Sequence, residues 1–301
     1  MARARAIDTR LEKLVPAVEE YIITGIYTTE EVKDLIRHRT DDEYRLVARP
    51  LLLLDVRNAI QFEHDMEVKI AAYCSRSKVN LKHRWSVVER MEQLYKIGLK
   101  HLKHPAEREA LRQEMVIFLK RYNRSSSLAS HYAELVVKNP LNASFWTEAA
   151  LYANEIGEID NARISVQHAI RLLPNSEDVY ACALSIELTF AHKIIRAAIA
   201  EHHERVERLQ RTLAVGAAPP IVDPVERMRS ENAALFQVVV NLALCRVIVD
   251  EVVSRAEACT PDLILRLYKL TLSFPFGRSL AAYILERAVT ERLLPAIILR
   301  T

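Results

Sequence analysis

The sequence predicts an all-α fold, a helical-repeat solenoid of helix–turn–helix units with an N-terminal helical extension. Three observations predict it. Glycine occurs only at Gly25, Gly98, Gly157, Gly216 and Gly277, and tight β-turns and phosphate-cradling loops both need that residue. The prolines keep time. Pro105 to Pro140 is 35 residues, and Pro140 to Pro174 and Pro261 to Pro295 are each 34. Stacked two-helix units produce such a period, with each proline ending a second helix. Apolar residues also recur at helical spacing along most of the chain.

The clearest unit is Asn139–Pro174. Trp146, Ala149, Ala150 and Ala153 make one helical face, which Gly157 can end in a left-handed conformation. Asp160 is placed to cap the next helix. Its stripe is Ile159, Ala162, Val166, Ala169, Ile170 and Leu173, and Pro174 stops it. Trp146, Ala150, Ala162, Ala169 and Pro174 fall at tetratricopeptide-type spacing. Arg163 either bonds across its repeat or faces a ligand, with structural bonding the default.

Further helices are expected near 55–75, 83–103, 106–122, 127–138, 144–156, 160–172, 177–212, 225–258, 262–273 and 278–293. The segment Ala214–Pro224 is rich in alanine and proline and reads as a linker. The expected organisation is an extension over 1–50, a repeat array over 51–213, the linker 214–224, and C-terminal helical repeats over 225–301. Within the extension, Leu11, Leu14, Val15, Val18 and Ile22 form a stripe ending at Gly25, with Pro16 in its first turn. Thr28 and Glu31 form a capping-box pattern for a second helix through Val32, Leu35 and Ile36. Near the end of the long 177–212 helix, Glu201–Arg205, Glu204–Arg208 and Glu207–Arg211 are three i,i+4 pairs in the favourable order.

The four cysteines are widely spaced and have no zinc-site pattern, which fits a reducing compartment. The basic opening MARARAIDTR is followed by no apolar segment, so a secretory signal is not expected, and Asp8 disfavours a mitochondrial presequence. Ala233–Val249, the most apolar run, contains Gln237, Asn241 and Arg246 and reads as buried helix rather than a membrane span. His101 and His104 lack a third ligand, and His202 and His203 are not part of an HExxH pattern. No catalytic, cofactor or metal residues are assigned, and no enzyme activity is expected.

Charge is uneven. From Arg76 to Arg124 there are 13 Lys/Arg against 5 Asp/Glu, a net +8 in a chain whose total is +3. This zone is a candidate contact for RNA or an acidic partner through Lys96, Lys100, Lys103, Arg108, Arg112, Lys120, Arg121 and Arg124. The competing reading is a solvated helical face. Trp85, Tyr95 and Tyr122 could stack on bases, although their helical spacing favours the core.

The segment Arg10–Leu46 resembles the N-terminal signature of the sixth protein of the U-three small nucleolar RNA-associated family. The matching residues are Arg10-Leu11-Glu12, Val15-Pro16, Gly25-Ile26-Tyr27-Thr28, Arg39-Thr40 and Glu43-Tyr44. The following FEHDMEVKI, Phe62–Ile70, is similar to the family's first repeat helix. The Asn139–Pro174 unit resembles a half-a-tetratricopeptide (HAT) unit at Trp146, Arg163 and Pro174. Phe274–Val289 is loosely similar to a later family segment. The resemblance implies a non-catalytic scaffold subunit of the small-subunit processome, in its B subcomplex, acting in ribosomal RNA processing in the nucleolus. It further implies WD-repeat propeller proteins as partners; contact with pre-ribosomal or U-three RNA stays open at this point, and no membrane partner is expected. The alternatives are a HAT-repeat scaffold of messenger-RNA splicing or 3′-end processing, and a helical enzyme with an unrecognised site.

Overall fold

The computed structural model describes residues 9, 10, 12, 14–212, 223–231, 233–255 and 260–290. All of the regular structure among them is helical. The helices are α1 (Val15–Ile23), α2 (Thr29–Val47), α3 (Leu53–Ser77), α4 (Ser86–His101), α5 (Pro105–Arg121), α6 (Ser125–Lys138) and α7 (Ala143–Glu155). They continue as α8 (Ile159–Leu172), α9 (Glu177–Thr212), α10 (Pro224–Glu231), α11 (Ala233–Val239), α12 (Ala243–Ser254), α13 (Pro261–Leu272) and α14 (Arg278–Thr290). The chain forms two compact units, Met1–Leu128 and Ala129–Thr301.

In the first unit each helix from α1 to α5 packs on the next in sequence, which is how a solenoid propagates. Helix α1 starts with proline in its first turn and ends before Gly25, whose φ is +74°. The capping box of α2 is complete: Thr28 Oγ1 accepts from the Glu31 N–H, and Glu31 accepts from the Thr28 N–H. Helix α1 is tied down by polar bonds as well as by buried Ala17, Val18 and Tyr21. The Tyr73 hydroxyl donates to the Thr24 carbonyl at 2.6 Å, and the Glu20 carboxylate accepts the N–H groups of Lys82 and His83 at 2.6 and 2.8 Å. At Gly98 three helices meet. A Cβ there would lie 2.4 Å from Leu111 Cδ2 on α5 and 3.0 Å from Val56 Cγ1 on α3, so the absent side chain lets α4 approach both.

In the second unit, α7 and α8 form the hairpin expected for Asn139–Pro174, and both pack on α9. Gly157 takes φ +90° at their turn. Small Ala150, Ala153, Ala162 and Ala169 let the helices close on Val179, Cys182, Ala183 and Ile186 of α9, with Trp146 packed against the cluster. A second face of α9 carries Tyr180, Leu184, Leu188 and Ala191. It meets Val249, Val252, Leu263, Leu267, Leu280 and Ile284 of α12, α13 and α14. Helix α9 is therefore buried on two sides near its start, and its 36 residues span about 54 Å.

Four expectations are corrected. The helix expected over 225–258 is broken between α11 and α12, because Leu242 takes φ +52° after the exposed Asn241. Pro105 and Pro261 open α5 and α13 as first-turn residues instead of ending helices. Pro140 and Pro174 do follow helix ends. Asp160 lies inside the first turn of α8; the N-cap residue is Glu158, and it makes no side-chain capping bond. Of the three ion pairs on α9, Glu204–Arg208 forms at 3.4 Å, while Glu201 lies 3.2 Å from Arg227 of α10. The side chain of Arg211 falls outside the described residues, as do Leu11, Pro295 and the segment 213–222 that contains most of the expected linker.

Candidate functional site

The polar chemistry of the first unit is concentrated between α2, α3 and α4. Arg39 on α2 forks onto Glu63 on α3: Nε donates to Oε1 at 2.8 Å and Nη2 donates to Oε2 at 2.7 Å. One turn on, Glu43 is fully buried and pairs with Arg90 of α4 and with Arg10, the latter at 3.0 Å. Arg90 also lies 3.9 Å from Glu63. Beside this cluster Glu67 accepts from Arg84 at 2.5 Å and from the Tyr122 hydroxyl at 3.1 Å. Arg39, Glu63 and Arg90 are each less than 5% exposed. Burial pulls the Arg39 pKa down, but the Glu63 carboxylate more than offsets that and raises it. The network holds three helices in one register, and its charges are spent on one another.

Three of the network's residues, Arg10, Arg39 and Glu43, are family-motif positions. The others are placed as follows. Ile26 and Tyr27 are buried in the turn after α1, with the Lys69 ammonium 4.0 Å over the Tyr27 ring, and burial pushes the Tyr27 phenol up to about 12. Thr40 donates back to the Ile36 carbonyl at 2.7 Å. Tyr44, Glu12 and Pro16 are exposed. Sequence reasoning singled out neither Glu63 and Glu67 nor their partners Arg84 and Arg90. The signal was present: Glu63 and Glu67 fall within the stripe of Val56, Ala59, Ile60, Met66 and Ile70, where a helix should be apolar.

The repeat residues of the second unit also hold helices together. Arg163 on α8 forks onto Glu187 on α9, with both bonds at 2.7 Å, and its guanidinium lies 4.9 Å from the Phe190 ring centroid. Trp146 donates its indole N–H to the Pro140 carbonyl at 2.9 Å, and the Tyr180 hydroxyl donates to the Pro174 carbonyl at 3.0 Å.

The basic zone is divided between two ends of the α4–α5 hairpin. At the end where α4 turns into α5 stand Lys100, Lys103 and Arg108, all exposed. At the other end are Lys120, Arg121 and Arg124. Arg124 lies 3.4 Å from Glu92 and 3.9 Å from Glu89, and Arg121 lies 6.0 Å from the Tyr122 ring. Lys96 pairs with Glu92 at 2.6 Å. Arg112 is only 6% exposed and forks onto Glu109, which removes it from any contact surface. Of the three aromatics, Tyr95 is buried and Tyr122 half-buried, as their spacing suggested. Trp85, at 52% exposure, is not in the core.

Between α1 and α2 runs an apolar groove of about 490 Å³ lined by Leu14, Val15, Val18, Ile22, Val32 and Ile36. Among the described residues, no group of three or more His, Cys, Asp or Glu could hold a metal ion. No described helix is long and apolar enough to cross a membrane.

Successive antiparallel helices, joined by buried arginine–carboxylate forks, define an all-α helical-repeat protein. Within that class, the family model described as U3 small nucleolar RNA-associated protein 6 matches residues 11–94, the segment that contains the α2–α3–α4 network. It is through this segment that the chain is similar to that family. It is similar to a U3 small nucleolar RNA-associated protein 6 homolog of Mus musculus, with 24% identity over 195 residues, covering 64% of this chain and 32% of the relative. The homolog of Homo sapiens is 23% identical over the same coverage. The chain thus spans about a third of the length of the curated relatives it matches.

Proposed function

We propose that the chain is a non-catalytic scaffold subunit of the small-subunit processome, supporting pre-ribosomal RNA processing and small ribosomal subunit assembly in the nucleolus. The observation that carries this reading is the match of residues 11–94 to U3 small nucleolar RNA-associated protein 6. The geometry supports a scaffold over an enzyme. The ion pairs of the α2–α3–α4 network join one helix to another, whereas catalysis needs acid and base groups converging on a substrate-sized space. Long helical faces suit extended partner segments. The expected partners are WD-repeat propeller proteins, and the outward Lys96, Lys100, Lys103, Arg108, Lys120, Arg121 and Arg124 are the candidate contacts for RNA or an acidic segment.

Affinity purification of the tagged chain from nuclear extract tests the reading. U3 RNA and propeller proteins should be recovered. Recovery of spliceosomal RNAs or 3′-end processing factors in their place would overturn it.

A further inference from the structure

One end of the first unit brings together two features, exposed leucines and a cluster of cations. Helix α3 begins where α4 ends, because Val56 of α3 touches Gly98 of α4. One turn beyond that contact lie Leu52 and Leu54 on one side and Lys100 and Lys103 on the other, with Arg108 in the first turn of α5. Arg49, in the turn between α2 and α3, completes the cluster. Leu52 and Leu54 are 55% and 65% exposed, and the four cations are all exposed.

These charges are not compensated locally. Among the described residues, Arg49, Lys100, Lys103 and Arg108 have no carboxylate within 4 Å, and the acids at this end, Asp55 and Glu107, pair with none of them. At the opposite end of the hairpin, Arg124 and Lys96 share Glu92. Burial, and then the Arg49 and Lys100 charges, push the His101 imidazole below its ordinary value, a local sign of positive potential. Helix electrostatics account for part of the cluster. Arg49 donates to the carbonyls of Leu46, Val47 and Ala48 at the end of α2, and Lys100 sits in the last turn of α4. Lys103 and Arg108 gain nothing of that kind, since Arg108 stands near the positive end of α5.

We propose that this end of the first unit binds an acidic polypeptide segment bearing apolar side chains, which seats them on Leu52 and Leu54 and its carboxylates on Arg49, Lys100, Lys103 and Arg108. The proposal rests on the scaffold reading above, since the segment is supplied by another subunit of the assembly. Charge complementarity selects the sign of the partner. The two leucines select its class: phosphates gain nothing from aliphatic groups, whereas a protein interface needs an apolar centre inside a polar rim.

The test is photo-crosslinking in cells, using the full chain with a benzophenone amino acid at position 54 or, separately, at position 103. Adducts are isolated with the assembly and mapped by mass spectrometry. The expected adduct resists nuclease and contains a peptide rich in Asp and Glu with interspersed apolar residues. With the probe at position 54, Lys100→Glu/Lys103→Glu should lower its yield about fivefold or more, and Lys120→Glu/Arg121→Glu should leave it unchanged. A nuclease-sensitive adduct, a crosslinked peptide with no acidic excess, or no adduct from an assembly that still contains U3 RNA overturns the proposal. If the purified material lacks U3 RNA, the scaffold reading fails, and the composition of the crosslinked peptide still decides the surface.

Discussion

Arg163 grips Glu187 as Arg39 grips Glu63. In both pairs Nε meets Oε1 and Nη2 meets Oε2, at 2.7–2.8 Å, and the carboxylate lies 24 residues further along on the next helix. A fork of two parallel bonds fixes both distance and orientation. The α2–α3 junction therefore reproduces the side-chain geometry of the α8–α9 junction, although residues before about 50 carry none of the tryptophan, alanine and proline spacing of the Asn139–Pro174 unit. The first two helices join α3 as one repeat joins the next.

Breaking the fork at Arg39 leaves Glu63 buried beside Arg90 alone, 3.9 Å away. Arg39→Met should destabilise the first unit by about 3–5 kcal/mol, and Glu63→Leu by a similar amount. The double variant Arg39→Met/Glu63→Leu should recover much of that loss, because neither charge is then stranded. Trp85 belongs to the first unit and Trp146 to the second, so urea unfolding followed through Trp85 in a Trp146→Phe background reads the effect. A double variant as unstable as the sum of the singles would show that the two side chains do not act as a pair.

At Arg163 the conservative change is the informative one. Arg163→Lys keeps the charge and loses the fork and the contact with Phe190. The arginine side chain is 27% exposed, which limits the loss to about 1–2 kcal/mol. Trp146 fluorescence in a Trp85→Phe background should report it, with the first unit unfolding as before. A shift in both units together would contradict the separate placement of the two forks.

Helix existence was legible from apolar period and local caps, while the proline timing misled at Pro105 and Pro261, which open helices. The Thr28–Glu31 box, the Gly25 and Gly157 turns and the alanine faces of α7 and α8 are all local chemistry, and the chain obeys it. The break at Leu242 was not legible, since apolar residues continue through it and a single left-handed residue leaves no compositional trace. Of the site, Arg10, Arg39, Glu43 and Arg163 were in view, but Glu63, Arg90 and Glu187 were not. A charge in a helical stripe reads as a surface residue until the facing helix is known, and the distance from Arg39 to Glu63 along the chain exceeds any local pattern. The division of the basic zone was hidden for a related reason: sequence counts charges along the chain, while their compensation depends on which helix ends meet.

The capping box gives a titration with a definite sign. Glu31 accepts the Thr28 N–H, its first stabiliser, and then the Lys69 ammonium, so its carboxyl is held down to about 2 from 4.5. A depressed carboxylate contributes stability that is fully present above about pH 4.5 and is lost as pH falls toward 2. Carbonyl-detected NMR should place the Glu31 midpoint near 2, and Thr28→Ala should move it upward. An ordinary midpoint in the unsubstituted chain would mean that the box is not formed in solution.

Two cysteines report separately on the two buried faces of α9. Cys182 faces α7, with its sulfur 3.8 Å from the Thr147 carbonyl, and Cys245 lies in the cluster that α12, α13 and α14 build against the other face. Burial pushes both thiols up to about 12, so at pH 8 the thiolate is on the order of one part in ten thousand. Cys74 is only half-buried. Iodoacetamide at pH 8, read by peptide mapping, should therefore modify Cys74 well before Cys182 and Cys245, and should modify all three in guanidinium. Because access and ionisation are both denied by packing, an early label at Cys182 alone would mean that the α7–α8 hairpin lifts from α9, and one at Cys245 alone that the C-terminal helices do.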